Sequence, residues 1–211
     1  MSEITIKNLF RLIALYLITS YSIASDYALV ADRIIDGKSN QVLTNKTVLV
    51  SKNTIVSIVN LDKIPENFLI VNLPNTTLMP GMINAHEHPL LYKSDYQNGH
   101  LQASSAYKAL IGLKTLQQLL EAGWTSIRVM GDGDIYYANQ DIRKAIDSGM
   151  FLGPRITGAG HYISITGGGG DINYLSPEQG VIADGLIADG PDEIRKAIRQ
   201  EIKYGLSLIH I

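Results

Sequence analysis

The stretch LMPGMINAHEHPLL, residues 78–91, holds the side chains with the clearest chemical potential. An apolar run passes a Pro-Gly turn, becomes apolar again and ends on two histidines, His86 and His88, with Glu87 between them. In an extended strand residues i and i+2 project to one side, so the spacing predicts two imidazoles side by side and Glu87 directed away from them. Two neutral imidazoles so placed are costly to bury unless something accepts their lone pairs, which a divalent cation does at about 2.0–2.1 Å per Zn–N bond. A His-x-His pattern by itself is short enough to arise by chance, and a pair of surface histidines at a strand end is its commoner meaning. The chain has no cysteine, which removes disulfides and thiolate chemistry and leaves histidines and carboxylates as the strong metal-ligating side chains.

The surrounding elements must hold that pair in place. Residues 27–79 read as short, β-branched strands divided by turns: YALVADRIID before Gly-Lys-Ser-Asn, KTVLVSKNTIVSIVNL with a Lys-Asn break, and FLIVNL after Pro-Glu-Asn. They predict a small antiparallel β element. After Gly81 the texture changes. GMINAH, TSIRVMG and RITGAG are apolar strands, and between them lie helical patterns. The first helix, over 103–122, aligns Ala106, Ala109, Leu110, Leu113, Leu116, Leu119 and Leu120 on one face and stops at Gly123. A second, NQDIRKAIDSG, ends at Gly149, and a third is opened by Pro191 and acidic residues and closed by Gly205. Alternating strands and helices imply parallel βα units, hence an α/β fold, as a barrel or an open doubly wound sheet. A nucleotide-binding sheet needs a glycine-rich turn directly after its first strand, and the turn after INAHEH has none.

With 211 residues, 45% hydrophobic and 18% charged, the chain has the composition of a globular protein with a core. Its formal net charge of −2 offers no basic field to nucleic acid. Residues 1–25 read as a cleaved export signal: Lys7 and Arg11, an apolar run from Leu12 to Ile18, then small residues with Ser22 and Ala24 before the cut. The run is shorter than the roughly 20 residues of a membrane span, so a periplasmic or extracellular product without a span after cleavage is expected.

Taken in order, the motifs resemble the metal-dependent amidohydrolase superfamily. LMPGMINAHEH is similar to that family's apolar-Pro-Gly-apolar-Ile-Asp-x-His-x-His first barrel strand. ADRIIDGKSN and VLVSKNTIVSIV resemble its N-terminal β-sandwich strands, and LLEAGWTSIRVMGD its Gly-x-Thr-Thr-x-Arg-Asp second strand. GPRITGAGHYISITGGGGD and ADGPDEIRKAIRQEIKYG resemble the branch with imidazolonepropionase-like enzymes and Xaa-Pro dipeptidases. An ordered set of motifs is far more specific than any one of them.

The resemblance implies a partial (β/α)8 TIM barrel, about its first three βα units over 81–205, preceded over 26–80 by the N-terminal part of a small β-sandwich. It implies a hydrolase of a carbon–nitrogen bond in an amide, peptide or cyclic amide, acting on a small molecule or dipeptide and compatible with a homo-oligomer. Two divalent metals per full-length subunit, zinc in most relatives, activate a water, and His86 and His88 hold the more buried one. The carbamylated bridging lysine, two further histidines and a general-base aspartate are expected beyond residue 205, so no catalytic residue lies in this chain and the chain alone is expected to be inactive. Arg128, on the second strand, suits a substrate carboxylate, with an ion pair to Asp132 or Asp134 as the equal alternative. Isolated His100 and His161 read as surface or satisfied polar residues, not as ligands.

Three departures stand out. Asn84 replaces the usual aspartate, keeping shape without charge. Gly169 stands where close relatives carry histidine, a position expected near substrate; a flexible glycine-rich loop over 166–171 is the plainer reading. The end, YGLSLIHI, puts His210 in the place of the bridging lysine, and 206–211 reads as a non-native tail. The competing hypothesis is a short, non-catalytic protein that binds metal or a small ligand through His86 and His88.

Overall fold

A computed structural model of the protein describes residues 26–205, so the leader read over 1–25, the tail at 206–211 and His210 lie outside the described residues. The chain divides into two compact units, one ending at Pro80 and the other beginning at Gly81. Among the described residues no helix is long and apolar enough to cross a membrane.

The first unit is a single four-stranded sheet of β1 (Tyr27–Ile34), β2 (Lys46–Ser51), β3 (Thr54–Asn60) and β4 (Leu69–Leu78), in the order β3-β2-β1-β4. A two-residue turn containing Lys52, at φ 54°, joins β2 to β3, the tight hairpin geometry that favours positive φ. The all-antiparallel expectation fails at one pairing. β1 is antiparallel to β2 and β2 to β3, but β1 runs parallel to β4. A hairpin after β3 would have laid β4 antiparallel beside it; the link that includes the turn Leu61–Lys63 instead carries the chain to the opposite edge, as a parallel pair requires. Ala28, Ala31, Ile34, Val48 and Leu49 are buried on the two central strands, while Ile55, Val56, Leu69 and Ile70 on the edge strands are exposed.

The second unit is α/β. Its strands β5 (Met82–Glu87), β6 (Trp124–Met130) and β7 (Arg155–Ala159) form a parallel sheet in sequence order. Helices α1 (Tyr96–Gln102) and α2 (Ser105–Glu121) connect β5 to β6, and α3 (Ala138–Asp147) connects β6 to β7. A small parallel pair, β8 (Ile163–Ser164) and β9 (Leu186–Ile187), precedes α4 (Pro191–Lys203). Helix α1 is absent from the sequence reading. It is separated from α2 by Ala103 in extended conformation, and Ser104 then caps α2, its hydroxyl accepting the Tyr107 N–H at 3.2 Å.

Leu116 of α2, with no exposed surface, packs with Leu90, Ile127, Val129, Ile142 and Ile156 to form the core between helices and sheet. Gly112 makes room for this, since a Cβ there would lie 2.6 Å from Leu90 Cδ2. Leu110, grouped with the apolar face by periodicity, is 67% exposed. At 3.6 residues per turn it lies about 120° around the helix from Leu116, beyond the stripe that the sheet covers. Leu116→Ala is therefore expected to cost about 2–5 kcal/mol. Leu110→Ala should stay within about 0.5 kcal/mol. Urea titrations followed by the fluorescence of Trp124, the one tryptophan of the chain, measure both.

Candidate metal centre

The histidines sit at an irregularity in β5. Asn84 pairs with Ile127 and Glu87 with Val129, so β5 carries one residue more than β6 across this span, a bulge at Ala85 and His86. Arg128, opposite it, donates its Nε to the Ala85 carbonyl at 2.8 Å. The bulge overturns strict alternation. Within it Glu87 folds back along the strand, Oε2 accepting Asn84 Nδ2 at 2.5 Å and Oε1 accepting the His88 N–H at 3.2 Å. Asn84 Oδ1 accepts the His86 N–H at 3.1 Å. An aspartate at 84 could not donate to Glu87, so the amide is what lets the two side chains meet.

His86 Nε2 and His88 Nε2 lie 3.1 Å apart, with the rings edge to face. His88 Nδ1 is 2.6 Å from the Gly131 carbonyl oxygen. A carbonyl only accepts, so Nδ1 carries the proton and Nε2 keeps its lone pair, the arrangement by which proteins orient imidazole ligands. Two nitrogens at this separation, each about 2.05 Å from a shared ion, subtend about 100° there, within the range of a zinc site. The pair thus fits a divalent cation as a two-point chelate; a lone N–H···N hydrogen bond is the other use of the same distance. Among the described residues no group of three or more His, Cys, Asp or Glu side chains converges in a way that would hold an ion.

Beneath this pair lies a buried polar layer that sequence reading did not assemble. Gly131 has φ +97°, and a Cβ there would stand 2.4 Å from the Tyr162 nitrogen. Asp132 is fully buried; the Leu90 N–H reaches both its oxygens at 3.2 Å and the Gly133 N–H reaches Oδ1 at 3.3 Å. Burial pushes its carboxyl well above the usual range, against the pull of those two N–H groups. Asp134 accepts from Ser105 Oγ at 2.8 Å and from the Ala138 N–H at 3.0 Å, and the Lys108 ammonium is 3.8 Å away. Lys108, buried in α2, donates to the Gly133 carbonyl at 2.8 Å and meets His100 Nδ1 at 2.7 Å; burial lowers its pKa. His161 Nδ1 meets Glu201 Oε1 of α4 at 2.7 Å, and its Nε2 meets the Asp134 carbonyl at 2.6 Å. Both partners accept, so both ring nitrogens donate.

Of the substrate candidates, Arg128 lies beside the histidines through Ala85, while Gly169 lies in the loop between β8 and β9. There its carbonyl accepts the Tyr96 hydroxyl at 3.3 Å and an added Cβ would meet open space. Asp134 lies 3.8 Å from the Lys108 ammonium and Asp132 accepts the Leu90 N–H. The sequence carried one signal for the buried layer, the GDGD that directly follows β6, where acidic side chains at a strand end are forced inward or capped.

Residues 77–211 match the amidohydrolase family. Ochratoxinase from Aspergillus niger is 27% identical across 80% of this chain and 38% of its own length. A crystal structure of a Xaa-Pro dipeptidase with bound methionine in the active site superposes with TM-score 0.67 at 28% identity, covering 86% of this chain and 45% of that one. A prolidase complexed with N-methylphosphonate-L-proline gives TM-score 0.72 at 25% identity over 86% and 45% of the two chains. The chain thus spans less than half the length of these relatives.

The His161–Glu201 contact sets an acid limit. Burial by itself would raise the Glu201 carboxyl, but the His161 ring and the N–H groups of His161 and Gly160 outweigh it and hold the group below its ordinary 4.5. Such a carboxylate contributes stability that is complete above the ordinary value and is lost as pH falls through the lower, folded one. Melting curves from neutral pH down to about pH 3 should show Glu201→Gln less stable than the wild type at neutrality, with the two Tm profiles converging on the acid side. Profiles that stay parallel would remove Glu201 from that role.

Proposed function

The chain belongs to the amidohydrolase family, and from that premise we propose that it carries the first metal ligands of a hydrolase of a carbon–nitrogen bond. The observation that carries the reading is the convergence of His86 Nε2 and His88 Nε2 to 3.1 Å, with His88 Nδ1 committed to a carbonyl. On this reading β5, β6 and β7 with their helices are the first βα units of a (β/α)8 TIM barrel, in which the C-terminal strand ends hold the site. The sheet of β1 to β4 is part of a small β-sandwich.

A bound divalent cation, zinc for an imidazole pair and two per full-length subunit, supplies an activated water and polarises the scissile carbonyl. His88 donates its Nδ1 proton to Gly131, which keeps Nε2 basic and aimed. His86 beside it is exposed. Arg128, whose Nε donates to the Ala85 carbonyl, is the candidate for a substrate carboxylate, and Gly169 is the second candidate contact to substrate. A dipeptide, cyclic amide or other small molecule is the proposed substrate class. The 211-residue chain is proposed to be inactive alone, because among its described residues only two ligands converge. Export is proposed from the leader pattern in the sequence, and a homo-oligomer is compatible with the reading.

Titration of the chain with zinc chloride against a chromogenic chelator tests the site. The wild type should bind, and His86→Ala or His88→Ala should each weaken binding at least about tenfold. Equal affinity in all three proteins would sink the proposal. With zinc present the chain should release no amino acid from dipeptides; if a longer product of the same gene is equally inert while zinc binding persists, the pair belongs to a binding protein instead.

A further inference from the structure

We infer that Asp132 is a positioning residue for His88, clamping the main chain just beyond it so that the imidazole stays locked on Gly131 with Nε2 free to ligate. For its consequence at a metal this rests on the reading given above; the clamp itself does not.

Residues His88, Pro89 and Leu90 are held at both ends by one turn. His88 Nδ1 donates to the Gly131 carbonyl at 2.6 Å, and the Leu90 N–H, two residues on, reaches both Asp132 oxygens at 3.2 Å. Between them Pro89 is fully buried, fixes φ and has no N–H to satisfy. Leu90 beyond is anchored in the core. The turn in its own right cannot drift. The Asp132 N–H donates to the Gly160 carbonyl at 3.0 Å, tying it to the end of β7, and Asp132 Oδ1 also accepts the Gly133 N–H at 3.3 Å. A side chain with no exposed surface that accepts only main-chain N–H groups has the placement of a strut, not of a substrate ligand. Without it Leu90 loses its partner, the segment is free to shift by tenths of an ångström, and the His88–Gly131 bond that selects the tautomer goes with it.

The clamp needs an accepting oxygen, not a charge. An amide keeps that oxygen, so Asp132→Asn should hold His88 where Asp132→Ala releases it. Long-range ¹H–¹⁵N spectra of the imidazoles in the 211-residue chain read the tautomer directly, without metal. The wild type and Asp132→Asn should both show His88 protonated at Nδ1, with zinc affinities within about threefold of each other. Asp132→Ala should lose that signature and bind zinc about 10–100-fold more weakly. If Asp132→Ala keeps both the Nδ1–H pattern and the affinity, the inference is wrong. Should Asp132→Ala not fold, the wild type still decides: amide exchange at Leu90 must be strongly protected and His88 must be the Nδ1–H tautomer, and failure of either overturns the clamp. A wild type that binds no zinc, with a tautomer that still follows Asp132, would leave the clamp standing and remove the metal reading.

Discussion

One position with no room for a methyl group governs the second unit. Gly131 turns the chain at the end of β6 with φ +97° while the main chain of Tyr162 passes within contact of where a Cβ would be. That close approach brings the exits of β6 and β7 together, and it turns the Gly131 carbonyl toward His88. Several of the polar side chains that follow are withdrawn from solvent. Asp132, Asp134, Lys108, His161 and Glu201 are all buried: Asp132 is held by the Leu90 main chain, Asp134 by Ser105 and Ala138, Lys108 by the Gly133 carbonyl, and His161 and Glu201 by each other. A buried polar layer of this kind is worth having only when fully satisfied, because an orphaned group in low dielectric costs more than an apolar one. The helices are therefore fixed to the sheet by direction as well as by burial.

Much of the scaffold was legible in the chain. The helix ends at Gly123, Gly149 and Gly205 could be read because each glycine takes positive φ, 94°, 75° and 106°, where a helix ends and other residues are strained. The parallel βα rhythm was legible from strand and helix periods alone. Crossovers are not written in any period, so the parallel partnership of β1 with β4 was lost, as was α1, whose seven residues are too few for a pattern. The helical wheel placed Leu110 with the core because periodicity reports a face without its width. The sheet covers only the part centred on Leu116.

The site was legible in part, and for a definite reason. His86 and His88 announce themselves through spacing, and they do converge, but the route differs from simple alternation. An extra residue in β5 is invisible in composition, yet it brings Glu87 back onto Asn84 and opens Ala85 to Arg128. The buried partners were illegible because they are distant in sequence: Lys108 and Gly133 lie 25 residues apart, His161 and Glu201 40. Asn84 read as a weakened aspartate; in context it is the donor that allows a neighbouring carboxylate.

The His88–Gly131 bond has an evolutionary side. Side-chain partners of imidazole ligands can drift by a single base change, and a carboxylate can become an amide or vanish. A main-chain carbonyl is encoded by no particular codon. Here the orienting group persists through any substitution that keeps the turn, and the turn excludes every residue but glycine by collision with Tyr162. The vulnerability is thereby concentrated at one codon whose errors unmake the fold locally instead of subtly mistuning a ligand. The loops around His86 could vary freely while the hold on the His88 ring stayed either intact or visibly broken.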